Sequence, residues 1–65
     1  MSQDVIAVSL DDSSVRLMAA DLSEKNAEAV IYMAVLRRGV DSEFFVAVPS
    51  GSYTEGEQYP KEVPL

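Results

Sequence analysis

The feature that most constrains this chain is a long apolar stretch at residues 27–39, AEAVIYMAVLRRG. Between Ala27 and Leu36 it carries one formal charge, that of Glu28. An ordinary surface helix shows an apolar face somewhat over about 100° wide. The apolar residues here extend around more of the helix than that. The helix therefore needs a cover on more than one side.

The signals for the start and the end of this helix agree. Asp21 or Ser23 is a suitable N-cap, and Glu24 places negative charge near the positive end of the helix dipole. Two consecutive arginines place positive charge near the other end, and the glycine that follows them can adopt the left-handed conformation of a C-cap. The sequence therefore predicts one helix over residues 23–38.

Three other segments predict strands. Residues 4–10, DVIAVSL, alternate apolar and small side chains, so both faces of this strand are expected to be partly covered. Residues 15–20, VRLMAA, follow a cluster of turn formers and alternate like a strand, but their spacing also suits a helix. We prefer the strand and keep the helix as the alternative. Residues 44–48, FFVAV, are typical of a strand in the interior of a sheet.

These elements predict a small α+β domain in the order β-β-α-β, with a three-stranded, mainly antiparallel sheet packed on one helix. Residues 1–49 would form this compact domain. Residues 50–65 contain Pro, Gly and Tyr and would form an extended tail, or a small hairpin that pairs Tyr53 with Tyr59. The predicted core consists of Ile6, Val8, Leu10, Leu17, Ala29, Val30, Met33, Leu36, Phe44, Val46 and Val48.

A helix at residues 14–21 would change the order of elements to β-α-α, followed by a C-terminal strand. With VIAVSL as the ribbon, SSVRLMAADL as the first helix and EKNAEAVIYMAVLRRG as the second, the chain resembles the ribbon-helix-helix repressors and antitoxins. The resemblance implies a dimer that reads the DNA major groove with outward strand side chains. Those positions hold Val5, Ala7 and Ser9, or Gln3, and the two apolar residues among them are poor readers of base edges. A dimeric DNA-binding regulator or antitoxin is therefore the second functional hypothesis.

The composition excludes several kinds of site. The chain has no Cys and no His, which excludes disulfides and the usual zinc sites. It has neither the ligand spacing of an EF-hand nor a phosphate-binding loop of the Walker type. Its serines lie in turns and caps, where a structural role is sufficient. The sequence therefore predicts no enzyme activity, no cofactor and no metal site.

The charge balance points away from nucleic acids and membranes. Eleven acidic and five basic residues give a net charge of −6, and binding to phosphates or to anionic lipids depends on Lys and Arg. An acidic surface suits a partner protein with a basic surface. The N-terminal residues MSQDVIAVSLDD lack the features of a signal peptide, and no apolar run reaches about 18 residues. We therefore expect a cytoplasmic protein.

The wide apolar arc of the helix carries the functional hypothesis. A chain of this length buries only roughly 60% of its unfolded surface, and small folds often gain stability by association. The tail, a second copy or a different protein would each cover the arc. In size, charge and element order the chain resembles small bacteriophage-encoded inhibitors of host enzymes. We expect a non-enzymatic protein-binding regulator or inhibitor, with a homodimer as a further option. The expected partner-binding residues are Ile31, Tyr32, Val35, Tyr53 and Tyr59.

Overall fold

The computed structural model describes residues 2–61, and these form one helix and three strands. In chain order, the elements are β1 (Gln3–Ser9), β2 (Val15–Leu22), α1 (Glu24–Arg38) and β3 (Glu43–Pro49). Both β2 and β3 pair antiparallel with β1, so the sheet order is β2-β1-β3. The predicted α+β fold and its β-β-α-β order are confirmed. Residues 15–22 form a strand, so the helix that the alternative required is absent from the described part of the chain.

The central strand β1 is buried on both faces. The side chains of Val5, Ile6, Ala7 and Val8 are each at most 1% exposed. Successive side chains of a strand point to opposite faces of the sheet. Val5 and Ala7 therefore lie on one face, and Ile6 and Val8 lie on the other. The sheet needs a separate cover for each face.

The helix covers the face that holds Val5 and Ala7. Phe45 of β3 lies opposite Ala7 on this face. The helix turns Ala27 and Ala34 toward the sheet, and these side chains are 0% and 6% exposed. Because they are seven residues apart, they lie on the same side of the helix. Their small size lets the helix approach the strands closely.

An ion cluster on the same face joins α1 to both edge strands. Glu43 lies at the start of β3, opposite Ser9. Its Oε1 is 3.1 Å from Nε of Arg38 on α1, and its Oε2 is 3.3 Å from Nη2 of Arg16 on β2. The two arginine side chains are close to half exposed, so these contacts contribute little free energy. Their effect is to orient the C-terminal end of the helix over the sheet.

Residues 50–61 cover the opposite face. There, Ile6 and Val8 form a cluster with two further buried valines, and four half-buried side chains pack against this cluster: Phe44, Val46, Tyr53 and Tyr59. The ring centroid of Tyr59 is 5.4 Å from that of Tyr53 and 5.7 Å from that of Phe44. Aromatic pairs at such separations add stability beyond the area that they bury. The two tyrosines complete the part of the core that the helix does not reach.

The same segment also occupies the outer edge of β2. The N–H of Val15 donates to the carbonyl oxygen of Glu57 at 2.8 Å, and the N–H of Gly56 donates to the carbonyl oxygen of Val15 at 2.9 Å. The N–H of Leu17 donates to Oε1 of Glu55 at 2.5 Å. Backbone groups that an edge strand would expose to solvent are therefore paired within the chain.

The predicted limits of the helix are confirmed. Ser23, rather than Asp21, is the N-cap, and its hydroxyl oxygen accepts from the N–H of Asn26 at 3.2 Å. At the other end Gly39 has φ 72°, in the left-handed region that favours glycine, and its N–H donates to the carbonyl oxygen of Val35 at 2.9 Å. These local interactions depend on the sequence next to the helix, which is why the sequence predicts them.

The predicted core is correct for Ile6, Val8 and Val48. It was wrong for five exposed residues: Leu10, Leu17, Ala29, Met33 and Leu36. Val30, Phe44 and Val46 are half-buried. The prediction missed five buried apolar residues: Val5, Ala7, Val15, Ala27 and Ala34. The core prediction for the helix was wrong because α1 turns its alanine side to the sheet, which leaves its larger side chains outward. On the other side of the sheet, residues 50–61 cover the face that holds Ile6.

The expectation that FFVAV forms an interior strand was also wrong, because β3 is at an edge of the sheet. Only one side chain of β3, that of Val48, is buried. The hairpin that joins β1 to β2 occupies one edge of β1. After β2 the helix crosses the sheet, and the chain then forms β3 along the other edge of β1. Topology, rather than the apolar character of each strand, decides which strand is central.

We predict that Ala27→Leu lowers the free energy of unfolding by about 1–3 kcal/mol, because the added methylenes overpack the contact between α1 and the sheet. The same substitution at the exposed Ala29 should change it by less than about 0.5 kcal/mol. Urea unfolding followed by circular dichroism measures both values. Equal losses from the two variants would show that α1 does not turn its alanine side to the sheet.

Candidate interaction surface

The outward side of α1 is apolar. Tyr32, Met33 and Leu36 are 66%, 46% and 63% exposed, and Val35 is 38% exposed. Residues three or four apart on a helix are neighbours, so these side chains form one continuous patch. A helix on the surface of a soluble domain usually turns polar side chains outward. Contiguous exposed apolar surface of this kind marks interaction sites.

A groove of about 500 Å³ lies between this patch and strand β2, and we call it the helix–β2 groove. Five of its seven lining residues are apolar, and two arginines close one end. The lining residues are Met18, Ala29, Val30, Met33, Ala34, Arg37 and Arg38. The groove and the patch share Met33, so they form one surface.

A β-bulge brings Met18 into the wall of the groove. In the pairing of β1 with β2, Val5 lies opposite Ala19 and Ile6 lies opposite Leu17. Met18 is the extra residue between these two pairs. A bulge re-aims side chains and increases the local twist of its strand. The flexible thioether side chain is well suited to an adaptable binding surface.

The charge at the groove differs from that of the whole chain. Arg37 and Arg38 lie at one end of the groove, and Arg38 also contacts Glu43. The guanidinium of Arg37 therefore makes this end locally positive in a chain whose net charge is −6. A basic partner surface was expected from the net charge alone. At the groove itself, a carboxylate rather than a cation is the electrostatic complement of Arg37.

The structure places the five predicted partner-binding residues in two groups. Tyr32 and Val35 lie on the exposed patch, and Ile31 beside them is half-buried. Tyr53 and Tyr59 pack against the core on the far face of the sheet. Their packing gives the two tyrosines a structural role, and their role in partner binding stays a prediction.

Met33 and Leu36 were expected in the core, and the structure exposes them. In the sequence, the helix has one apolar stripe with Met33 and Leu36 and a second with Ala27 and Ala34, and periodicity alone does not decide which of them faces the sheet. The size of the side chains distinguishes them, because the stripe with Ala27 and Ala34 allows a close approach to the strands. That stripe contacts the sheet, and the stripe with the larger side chains faces outward.

The only buried charged side chain within residues 2–61 is that of Asp4, which is 5% exposed. Its Oδ1 accepts from the N–H of Asp21 at 2.9 Å and from the hydroxyl of Ser50 at 3.0 Å, and its Oδ2 accepts from the N–H of Gly51 at 3.0 Å. The backbone N–H of Asp21 and then that of Gly51 are the main causes that hold the pKa of Asp4 below its usual range. Burial opposes this shift without cancelling it.

A second bulge in β2 creates the site that Asp4 occupies. Gln3 lies opposite Leu22 and Val5 lies opposite Ala19, so Asp4 faces two residues of β2. One of them is Asp21, whose φ of 59° lies in the left-handed region. The carboxylate of Asp4 joins this bulge to the turn after β3. A carboxylate that is ionised and satisfied by three donors stabilises the fold and is poorly suited to exchange protons with a substrate.

Within residues 2–61, no three or more His, Cys, Asp or Glu side chains lie close enough together to hold a metal ion. Every buried side-chain nitrogen or oxygen in that part of the chain has a hydrogen-bond partner. In the same range no helix has the length and the apolar character needed to cross a membrane. Comparison of the chain with protein-family models, with curated proteins and with solved structures found no match.

We predict that Asp4→Asn lowers the free energy of unfolding by about 1–3 kcal/mol at neutral pH, because the amide nitrogen would face an N–H or hydroxyl donor. The pKa of Asp4 is lowered by folding, so its contribution is complete at neutral pH. The contribution declines once the pH falls below the ordinary value of 3.8 and is lost as the pH falls through the lower pKa of the folded state.

Denaturant unfolding at a series of pH values measures this difference in stability. Asp41→Asn, at an exposed position in the loop before β3, is the matched control because it makes the same chemical change. A stability difference between Asp4→Asn and the natural chain that persists unchanged in strong acid would contradict the assignment.

Proposed function

We propose that this protein is a non-enzymatic binding module that regulates or inhibits another protein through the patch on α1 and the helix–β2 groove. The observation that supports the proposal most is the exposure of Tyr32, Met33 and Leu36 beside an apolar groove. Burial of one such side chain contributes about 1.5–3 kcal/mol. A partner that covers the patch would gain this free energy from several residues at once.

The shape of the surface favours a partner that inserts an apolar side chain. The groove is a concave, largely apolar channel, and Met18 forms one wall while Met33 forms the other. Anchor residues of protein interfaces typically fill such pockets, and surrounding contacts exclude water. Tyr32 is the kind of residue that often dominates the binding energy of an interface.

The charges support a protein partner over a nucleic acid or a membrane. The net charge of −6 repels phosphates at a distance. Near the groove, Arg37 would attract a carboxylate on a partner segment and thereby fix its direction. A partner segment with one or two apolar anchors and an acidic residue beside them is the best complement to this surface.

A protein that binds its partner without catalysing a reaction would act by regulating or inhibiting that partner. The chain has no Cys and no His, and the buried carboxylate of Asp4 already accepts hydrogen bonds from three donors. A domain that binds and does not react acts by occupying a surface of its partner. The absence of Cys also suits a reducing compartment, and a cytoplasmic location is part of the proposal. The alternative, a ribbon-helix-helix regulator, needs a helix at residues 14–21, where β2 lies.

A photo-crosslinking amino acid at Met33 tests the proposal in cells of the source organism. The expected result is a crosslink to one protein, which mass spectrometry identifies. The same crosslinker at Gln58, which is exposed in the segment that covers the opposite face of the sheet, is the control and should give no such product. Equal crosslinking from both positions would mean that capture does not depend on the patch.

The identified protein then permits a quantitative test. We predict that Leu36→Glu weakens its binding at least about tenfold, because a buried apolar contact is lost and a charge is desolvated. The variant should keep its fold, since Leu36 is 63% exposed. Leu10→Glu makes the same change at a 54% exposed leucine in the turn after β1, outside the proposed surface, and should leave the affinity unchanged. Titration calorimetry measures both, and an unaltered affinity for Leu36→Glu would refute the proposed surface.

A further inference from the structure

The outer edge of β3 presents backbone groups that residues 2–61 do not pair. Beyond the two ends of the β1–β3 ladder, Leu10 N–H donates to the carbonyl oxygen of Ser42 at 2.9 Å, and Ser50 N–H donates to that of Ser2 at 3.2 Å. In an antiparallel pair, the residues that bond to one neighbour alternate with those that face away from it. The N–H and C=O groups of Phe45 therefore point away from β1.

The two edges of the sheet differ in their protection. Along the edge of β2, the backbone of Val15 is hydrogen-bonded to the segment after β3, and the side chain of Glu55 accepts a hydrogen bond from the N–H of Leu17. The same strand contains two bulges. All of these features block the addition of another strand. The pairing of β3 with β1 continues without a bulge over seven residues. In the described part of the chain, the residues of β3 that oppose strand addition are Glu43 and Pro49, at its two ends.

The charge of the β3 edge also permits pairing. Glu43 is the only charged residue of the strand, and it already contacts Arg16 and Arg38. The five residues that follow it, FFVAV, are all apolar. Two copies with a net charge of −6 repel each other, and the uncharged segment FFVAV adds nothing to this repulsion where the strands meet.

We propose that β3 pairs antiparallel with β3 of a second copy, so that two three-stranded sheets join into one continuous sheet around a two-fold axis at Val46. In this register, the N–H of Phe45 donates to the carbonyl of the partner's Ala47, and the N–H of Ala47 donates to the carbonyl of the partner's Phe45. The N–H of Glu43 donates to the carbonyl of the partner's Pro49. Pro49 has no N–H to donate, and in this register only its carbonyl oxygen takes part in a hydrogen bond.

The side chains of the strand suit a second copy of the same chain. On the face covered by the tail, Val46 meets the partner's Val46, and Phe44 meets the partner's Val48. Phe44 and Val46 are only half-buried within one chain. Apolar cross-strand pairs of this kind stabilise a sheet. An isologous interface requires one surface to complement itself, and this strand does so in both its hydrogen bonds and its side chains.

The helix gains a contact from the same arrangement. The groove lies on the β2 side of α1, so the helical repeat places Ile31 and Val35 on the β3 side. The two-fold axis is perpendicular to the joined sheet, which puts the two helices on the same face, next to each other. The exposed part of Val35 would then contact the partner's helix. The proposal does not rest on the proposed function, because the β3 edge and the helix–β2 groove lie on opposite sides of α1. The two proposed surfaces share only Val35, at the margin of the patch.

Sedimentation equilibrium across a dilution series tests the proposal with the natural chain and with Ala47→Pro. We expect a dimer for the natural chain. The proline removes one outward N–H from each chain, and dimerisation should weaken at least about tenfold. Proline is tolerated in an edge strand where its nitrogen faces outward, so the fold should be kept. Glu24→Pro is the matched control, because the first position of a helix accepts proline.

Amide hydrogen exchange of the natural chain provides a test that needs no variant. The N–H groups of Phe45 and Ala47 should exchange more slowly as the protein concentration rises. The N–H of Val46 bonds to β1 within one chain, so it should already be protected at the lowest concentration, where Phe45 and Ala47 are not. A chain that stays monomeric at high concentration would overturn the proposal. A dimer that Ala47→Pro leaves unweakened, or in which Phe45 gains no protection, would do so too.

Discussion

The burial of β1 on both faces is the constraint on which the rest of the structure depends. A strand whose Val5 and Ile6 are both inaccessible to water needs one cover above the sheet and another below it. The chain has a single helix within its described residues, and that helix covers one face only. The segment after β3 supplies the other cover with Tyr53 and Tyr59. A region that resembles a loose tail is therefore part of the core.

The use of separate covers for the two faces of the sheet explains why the helix remains apolar on its outward side. Residues 50–61 pack on the face of the sheet opposite α1. The sheet occupies only the stripe with Ala27 and Ala34. Larger side chains such as Leu36 stay exposed, and they form the surface that the proposed partner would cover. The two flanks of α1 offer different surfaces, a groove beside β2 and a strand edge beside β3.

Charged groups mainly position the elements. The carboxylate of Asp4 joins a bulge in β2 to the turn after β3, and the carboxylate of Glu43 joins α1 to both edge strands. Asp4 is buried and hydrogen-bonded, so its removal would leave N–H donors without partners. Glu43 lies near the surface, where solvent weakens its ion pairs. The first therefore contributes to stability, and the second chiefly to orientation.

The sequence alone was sufficient to predict the limits of α1 and the strand at residues 4–10, and it favoured a strand at residues 15–20 without excluding a helix there. Ser23 and Gly39 mark the ends of α1 through contacts within one helical turn, and the alternation of residues 4–10 indicates a strand covered on both faces. Tertiary structure alone decided which stripe of α1 faces the sheet, which strand is central and where the segment after β3 lies. Hydrophobic periodicity shows that a face is apolar but does not identify its cover. The bulges at Met18 and Asp21 arise from pairing with β1, so no local pattern in β2 predicts them.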